Sequence, residues 1–208
     1  MKDEQTITRF GLIRHAETRW NRGKRIQGQH DSPLTREGER QAKLWAGALA
    51  ACHWDYCLCS DLGRARQTAV IINSCLNLPA FYETALREQN WGEWVGKTLA
   101  ELEAETPETL VEQVARGWHF CPPGGEDLIN VFTRGKSALT AAAEKWPGAN
   151  VLTITHAGMI KCLVYHCLNR DFISAENPVL KVAYLHWFVV KSGNLRLEKT
   201  NAVTLHPR

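Results

Sequence analysis

Thr6-Ile7-Thr8-Arg9-Phe10-Gly11-Leu12-Ile13 runs directly into Arg14-His15-Ala16-Glu17-Thr18. The first eight residues form a short alternating run that ends apolar, the pattern of a β-strand. The polar segment behind it brings an arginine and a histidine to the strand's carboxyl end. Working outward, residues 21–32 hold Gly, Asn and charge without a period and read as a loop. Thr35 can cap a helix whose first turn carries Glu37 and Glu39, with Ala42, Trp45, Ala48 and Leu49 as its apolar stripe. Residues 56–59 read as a short buried strand, and 61–76 as a helix stopped near Asn77 and Pro79. Strands at 150–155, 182–190 and 195–203 and helices at 126–146 and 158–168 complete the pattern. The last two strands meet at Ser192-Gly193-Asn194. Strands alternating with helices predict an α/β fold with a mostly parallel sheet and an antiparallel piece at the C-terminus.

Between residues 83 and 125 the pattern changes to short helical pieces, 97–105 and 107–117, joined by Gly, Pro and Trp. This reads as a helical insertion over one end of the sheet, closed by Gly124-Gly125. With 208 residues against roughly 150 per domain, a single domain spanning 1–208 is expected.

The chain is 44% hydrophobic and 23% charged, with a net charge of +3, which sets aside disordered and collagen-like classes. No apolar run approaches the ~20 residues of a membrane helix. Met1-Lys2-Asp3-Glu4-Gln5 offers no signal-peptide core, so a cytoplasmic chain without membrane partners is expected. Seven cysteines with no C-x-x-C spacing predict reduced thiols, not a disulfide framework. Cys57 and Cys59 should share one strand face. No grouping has the spacing of a zinc site. Residues 9–40 carry eight Lys/Arg against four Asp/Glu, whereas 83–112 carry two against eight. A basic segment in a mild total predicts a local anion site. It does not predict a nucleic-acid surface, which needs a broad basic stripe.

Three strand ends carry polar residues: Arg14-His15 after the first, Ser60 and Arg64 after the second, Thr155-His156 after the later one. In open α/β sheets, ligands bind beyond the carboxyl ends of the strands. Two arginines and two histidines there make an anion site with a candidate nucleophile. Neutral imidazole attacks phosphorus well, and His15 would form a phosphohistidine. Arg14 and Arg64 would clamp the phosphoryl oxygens. A carboxyl must then protonate the leaving oxygen and later activate water. Glu88 and Glu93 both qualify, and their spacing does not separate them.

Arg14-His15-Ala16-Glu17-Thr18-(x)2-Asn21 resembles the Arg-His-Gly signature of the histidine phosphatase superfamily, the phosphoglycerate-mutase-like proteins. In the same order, Gln27-Gly28-(x)2-Asp31-Ser32-Pro33-Leu34-Thr35-(x)2-Gly38, Ser60-Asp61-Leu62-(x)-Arg64-Ala65-(x)-Gln67-Thr68-Ala69 and Glu88-(x)3-Gly92-(x)-Trp94-(x)-Gly96 resemble its later segments. So do Pro123-Gly124-Gly125-Glu126 and Thr155-His156-Ala157-Gly158. The resemblance implies a three-layer α/β/α sandwich with the insertion over the active site. It implies His15 as phospho-acceptor, Arg14, Arg64, His156 and Asn21 as phosphate ligands, and Glu88 in preference to Glu93 as the acid. It implies no metal and no cofactor. Ala16 and Ala157 depart from the family's usual glycines.

The loop holding Arg25 and Gln27 looks like the phosphatase branch, and the acidic insertion offers no cluster for a second phosphate. The expected function is therefore metal-independent hydrolysis of a small phosphorylated metabolite, such as α-ribazole phosphate or a broad range of monoesters. Phosphoglycerate mutase and a non-catalytic phospho-ligand module are the alternatives. Thr18, Asn21, Gln27, Arg25 and Trp91 are expected to contact substrate, with Trp20, Trp94 and Trp118 completing an apolar mouth or packing. His30, His53, His119, His166, His186 and His206 fit no constellation. A homodimer is compatible with this reading.

Overall fold

A computed structural model describes residues 6–172 and 179–205. Met1-Lys2-Asp3-Glu4-Gln5 and His206 lie outside the described residues. Six strands form one sheet in the order β3-β2-β4-β1-β5-β6. They are β1 (Ile7–Arg14), β2 (Tyr56–Ser60), β3 (Ala80–Glu83), β4 (Asn150–Thr155), β5 (Tyr184–Lys191) and β6 (Asn194–Thr204). The first four pair in parallel, and β5 and β6 form the antiparallel edge. Helices α1 (Arg19–Arg22), α2 (Arg36–Leu49), α3 (Gly63–Leu76), α4 (Leu99–Glu105), α5 (Pro107–Ala115), α6 (Leu128–Lys145) and α7 (Ala157–Cys167) complete the chain.

The strands alternate between two cores because successive side chains of a strand point to opposite faces. Leu12, Leu58 and Val151 meet α6 and α7 on one face. Ile13, Cys57, Cys59, Leu152 and Ile154 meet α2 and α3 on the other. This is the three-layer sandwich, and Cys57 and Cys59 do share a face. All seven cysteines are free thiols, and burial pushes Cys57 up to about 12.

Thr35 caps α2 as expected, its hydroxyl accepting the Gly38 N–H at 2.9 Å. The buried stripe is Ala42, Trp45, Ala46 and Leu49, with Ala46 in place of Ala48. Three points differ from expectation. Residues 19–22 of the segment around the expected loop form α1, closed by a capping box between Thr18 and Asn21. Ala80–Glu83 is an edge strand against β2, in a stretch the sequence reading leaves unassigned up to Glu83. Four residues are too few to display a period. Val182 lies ahead of β5 and is 75% exposed, because Ala183 takes a positive φ and turns the chain there. The insertion buries Leu86, Trp94, Leu102 and Phe120 into the α6–α7 core, so its place over the sheet is set by apolar contact.

Candidate active site

Strand register builds the site. Arg14 of β1 lies level with Thr155 of β4, while β2 pairs with the other edge of β4 with Cys59 opposite Ile154. The carboxyl ends of three adjacent strands therefore stop together. The next residues, His15 and His156, stand side by side with ring centroids 5.2 Å apart. The His15 N–H donates to the Thr155 carbonyl at 2.9 Å.

The contacts of His15 decide its tautomer. Its Nδ1 lies 2.8 Å from the Ala16 carbonyl, which only accepts. Its Nε2 receives the Arg64 Nε–H at 3.2 Å, which only donates. Nδ1 therefore carries the hydrogen and Nε2 the lone pair. Burial, then the Arg14 and Arg64 charges, hold the ring well below its ordinary value and keep it neutral. Ala16 is buried and has no positive φ, so its methyl group fits where glycine is usual.

Arg64 is 1% exposed and holds the facing loop. Its Nη2 donates to the Gly28 carbonyl at 2.7 Å, and its Nη1 to the His30 carbonyl at 2.7 Å and Asp31 Oδ1 at 3.2 Å. Asp31 also accepts the N–H groups of Gly63 and Arg64. It thus caps α3, whose own N-cap, Leu62, has no side-chain oxygen. Arg14 is different: none of the described residues accepts a hydrogen bond from its guanidinium. Burial lowers its proton affinity, and the Glu88 charge opposes that.

His156 Nε2 lies 2.8 Å from the Ser60 hydroxyl. Its Nδ1 is buried without a hydrogen-bond partner among the described residues. Burial, then the charge of Arg64, keep this ring neutral too. An anion seated against Nδ1 requires the hydrogen there, with Ser60 donating to Nε2.

Glu88 reaches the N-terminus of α7. Its Oε2 accepts the Gly158 N–H at 3.1 Å, and its Oε1 the Gln89 N–H at 2.9 Å. A side chain at Gly158 would collide with that carboxylate, so the glycine makes room for it. Glu93 is exposed on the far side of its turn, its N–H on the Pro123 carbonyl. Gly92, at φ +49°, packs against the backbone at Pro123 and Gly124.

The expected substrate contacts divide. Asn21 lines a cavity of about 180 Å³ with Arg14, His15, Glu17 and Gln41, and its Oδ1 accepts the Thr18 N–H. Thr18 is fully buried and serves as the cap of α1. Gln27 is buried, with its side-chain Oε1 unpartnered among the described residues. Arg25 is engaged by the insertion: its guanidinium pairs with Glu101 and donates to the Gly96 carbonyl. Trp91 lines a mainly apolar cavity of about 290 Å³ with Val114, Phe120, Leu128 and Phe172, and Gln89 and Lys161 add polar groups to it. Trp94 is buried beside Phe120. Trp118 packs on Phe132 and Phe172, and Trp20 touches the Gly96 region. Sequence reasoning missed Asp31, Ser60 and Gly158 as supports, because each partner is more than thirty residues away.

Residues 10–203 match the family model described as histidine phosphatase superfamily (branch 1). The chain belongs to this superfamily. It is similar to a probable phosphoglycerate mutase, GpmB, of Cronobacter sakazakii. The two are 38% identical over 156 residues, 74% of this chain and 71% of the relative. Bacillus stearothermophilus YhfR superposes with TM-score 0.85 at 28% identity, covering 95% of this chain and 98% of that one. A mycobacterial glucosyl-3-phosphoglycerate phosphatase superposes with TM-score 0.78 at 28% identity, covering 94% and 99%. Among the described residues no helix of this histidine phosphatase is long and apolar enough to cross a membrane. Nor does any cluster of His, Cys, Asp and Glu among them suit a metal.

One prediction concerns stability. His15 and His156 are held well below 6.5, and His186 at about 4, in each case chiefly by burial. Below about 6.5 the unfolded chain binds protons that the folded chain refuses. Stability should therefore fall as pH drops from 7 to 5, by about 2 kcal/mol over that span for each such histidine, with the slope steepening below about 6.5. Denaturant midpoints at the two pH values check this, and equal midpoints would refute it.

Proposed function

We propose that this histidine phosphatase is a metal-independent phosphomonoesterase working through a phosphohistidine on His15 Nε2. The supporting observation is the lone pair on that nitrogen beside the unengaged Arg14 guanidinium. The Nε2 lone pair attacks phosphorus as the bond to the leaving oxygen breaks. Glu88 gives that oxygen its proton. The Glu88 carboxylate then takes a proton from water, whose oxygen attacks phosphorus and returns the lone pair to His15. Arg14, Arg64 and His156 Nδ1–H meet the phosphoryl oxygens, where donors already in place stabilise the developing charge. Asn21 and Gln27 supply further amide groups at the edge.

Hydrolysis is favoured over mutase chemistry by the surroundings of Glu88. The adjoining cavity is mainly apolar, with Gln89 and a single cation, Lys161, in its lining, and the insertion above it is acidic. A second phosphate or carboxylate on the acceptor would be better held by a cluster of basic partners than by one lysine. The names of the curated relatives favour the mutase reading. A substrate screen decides between them. Monoesters with apolar leaving groups should exceed 3-phosphoglycerate in kcat/KM, and Trp91→Ala should reduce the former by about tenfold, the value of one poorly filled apolar contact surface. Isomerisation of 3-phosphoglycerate, primed by its bisphosphate, outrunning all hydrolysis would overturn the proposal.

A further inference from the structure

Proton transfer demands a carboxyl placed within a fraction of an ångström, yet Glu88 lies in an irregular segment between two 3-10 turns. What holds it comes from α6. Arg134 Nη1 donates to the carbonyls of Ala85 at 2.8 Å and Arg87 at 2.6 Å. Its Nη2 donates to the Glu88 carbonyl at 3.0 Å and to Glu126 Oε2 at 3.0 Å. Its Nε donates to Glu126 Oε1 at 2.8 Å. The Leu86 carbonyl, which Arg134 does not reach, accepts the Thr155 hydroxyl at 2.7 Å. Four consecutive carbonyls, 85 to 88, are thus all engaged, three by one guanidinium.

Glu126 extends the clasp. Its Oε2 accepts the Asn90 N–H at 3.2 Å, and its carbonyl accepts Gln89 Nε2 at 2.7 Å. Its N–H donates to the Asn90 carbonyl at 2.9 Å. The side chains of the pair are 20% and 19% exposed, so water competes little for these bonds. The planar fork matters, since five donors in fixed directions suit several carbonyls at once, and an ammonium does not reproduce them. No bond of Arg134 goes to His15, Arg14 or Arg64.

We propose that Arg134, paired with Glu126, is a positioning residue for the proton-transfer step. It fixes the backbone from which Glu88 reaches the leaving oxygen, and leaves the phosphate clamp alone. The inference rests on Glu88 being the acid. Its signature is selective: losing the clasp slows substrates whose leaving oxygen needs a proton, and spares those whose leaving group departs as a stable anion.

The test compares kcat/KM for p-nitrophenyl phosphate and an alkyl phosphate in Arg134→Gln, Arg134→Lys and Glu126→Gln, with Glu88→Gln as reference. General acid catalysis contributes about 10²–10⁴-fold, and the aryl-to-alkyl ratio should rise by about tenfold in Arg134→Gln. Arg134→Lys should show the same direction of change, because charge without the fork cannot hold the carbonyls. The ratio is independent of how much protein is folded, so a destabilised variant still reports. An unchanged ratio in both Arg134 variants while Glu88→Gln is selective would overturn the clasp alone. Full rescue by lysine would also overturn it. An unselective Glu88→Gln would remove the underlying assignment of the acid, and the clasp with it.

Discussion

The His15→Ala variant is expected to lose turnover by on the order of 10⁵-fold, the scale on which removal of a nucleophile acts in covalent catalysis. It should also lose all labelling by a phosphoryl donor. The argument rests on the ring's surroundings. Nδ1 is tied to the Ala16 carbonyl and Nε2 faces a guanidinium, so the reactive lone pair is already aimed. Burial and two cations keep the ring from protonating. His156 is set up for a different role, with its Nε2 on the Ser60 hydroxyl and its Nδ1–H free among the described residues to meet an anion. The wild-type label should be acid-labile and alkali-stable, as a phosphorus–nitrogen bond requires. Near wild-type turnover in His15→Ala, or a label that survives acid, would sink the mechanism. His15 is 4% exposed, so its removal leaves a cavity and an Arg64 donor without its acceptor. A melting curve must accompany the assay.

The Glu88→Gln variant should lose about 10²–10⁴-fold in kcat/KM for alkyl phosphates and far less for p-nitrophenyl phosphate, whose leaving group hardly needs a proton. The comparison belongs in kcat/KM because that ratio reports formation of the phosphoenzyme and excludes its later hydrolysis. In the second step the same side chain must accept a proton from water. With p-nitrophenyl phosphate the variant should therefore release one rapid equivalent of p-nitrophenol and then stall as phosphoenzyme. Glutamine keeps nearly the same shape and one acceptor oxygen for the Gly158 N–H, while its amide nitrogen gives up the bond from the Gln89 N–H, so the p-nitrophenyl phosphate rate also serves as the control for placement. Equal losses on both substrates would reassign the acid. Glu93 is a poor heir, exposed on the other side of the Gly92 turn.

Much of this was legible in the chain. The alternating run into Arg14-His15 and the matching strand ends at Ser60 and Thr155 place the candidate groups on one rim from the sequence alone. They were legible because strand and helix periods are local, and because parallel strands all present the same end. Four-residue β3 and four-residue α1 were not, since neither is long enough to show a period. Arg25 illustrates a different limit. A loop arginine beside the site suggests a substrate contact, yet Glu101 lies within 3.0 Å of it. That pairing joins residues 76 positions apart, and no local pattern announces it.

The sequence by itself determined the layer order, the basic rim, the acidic insertion and the identity of the two histidines, two arginines and two candidate acids. Tertiary structure alone decided which nitrogen of His15 carries the lone pair, and that the Arg14 guanidinium, unlike that of Arg64, meets no acceptor among the described residues. It also supplied the supports, Asp31 under Arg64, Ser60 behind His156, Gly158 and Arg134 around Glu88. The physical reason is that hydrogen-bond partners and close approaches are set by strand register and helix docking across long stretches of chain. Residue spacing carries the chemistry available. Only packing decides which atoms of it are left free to react.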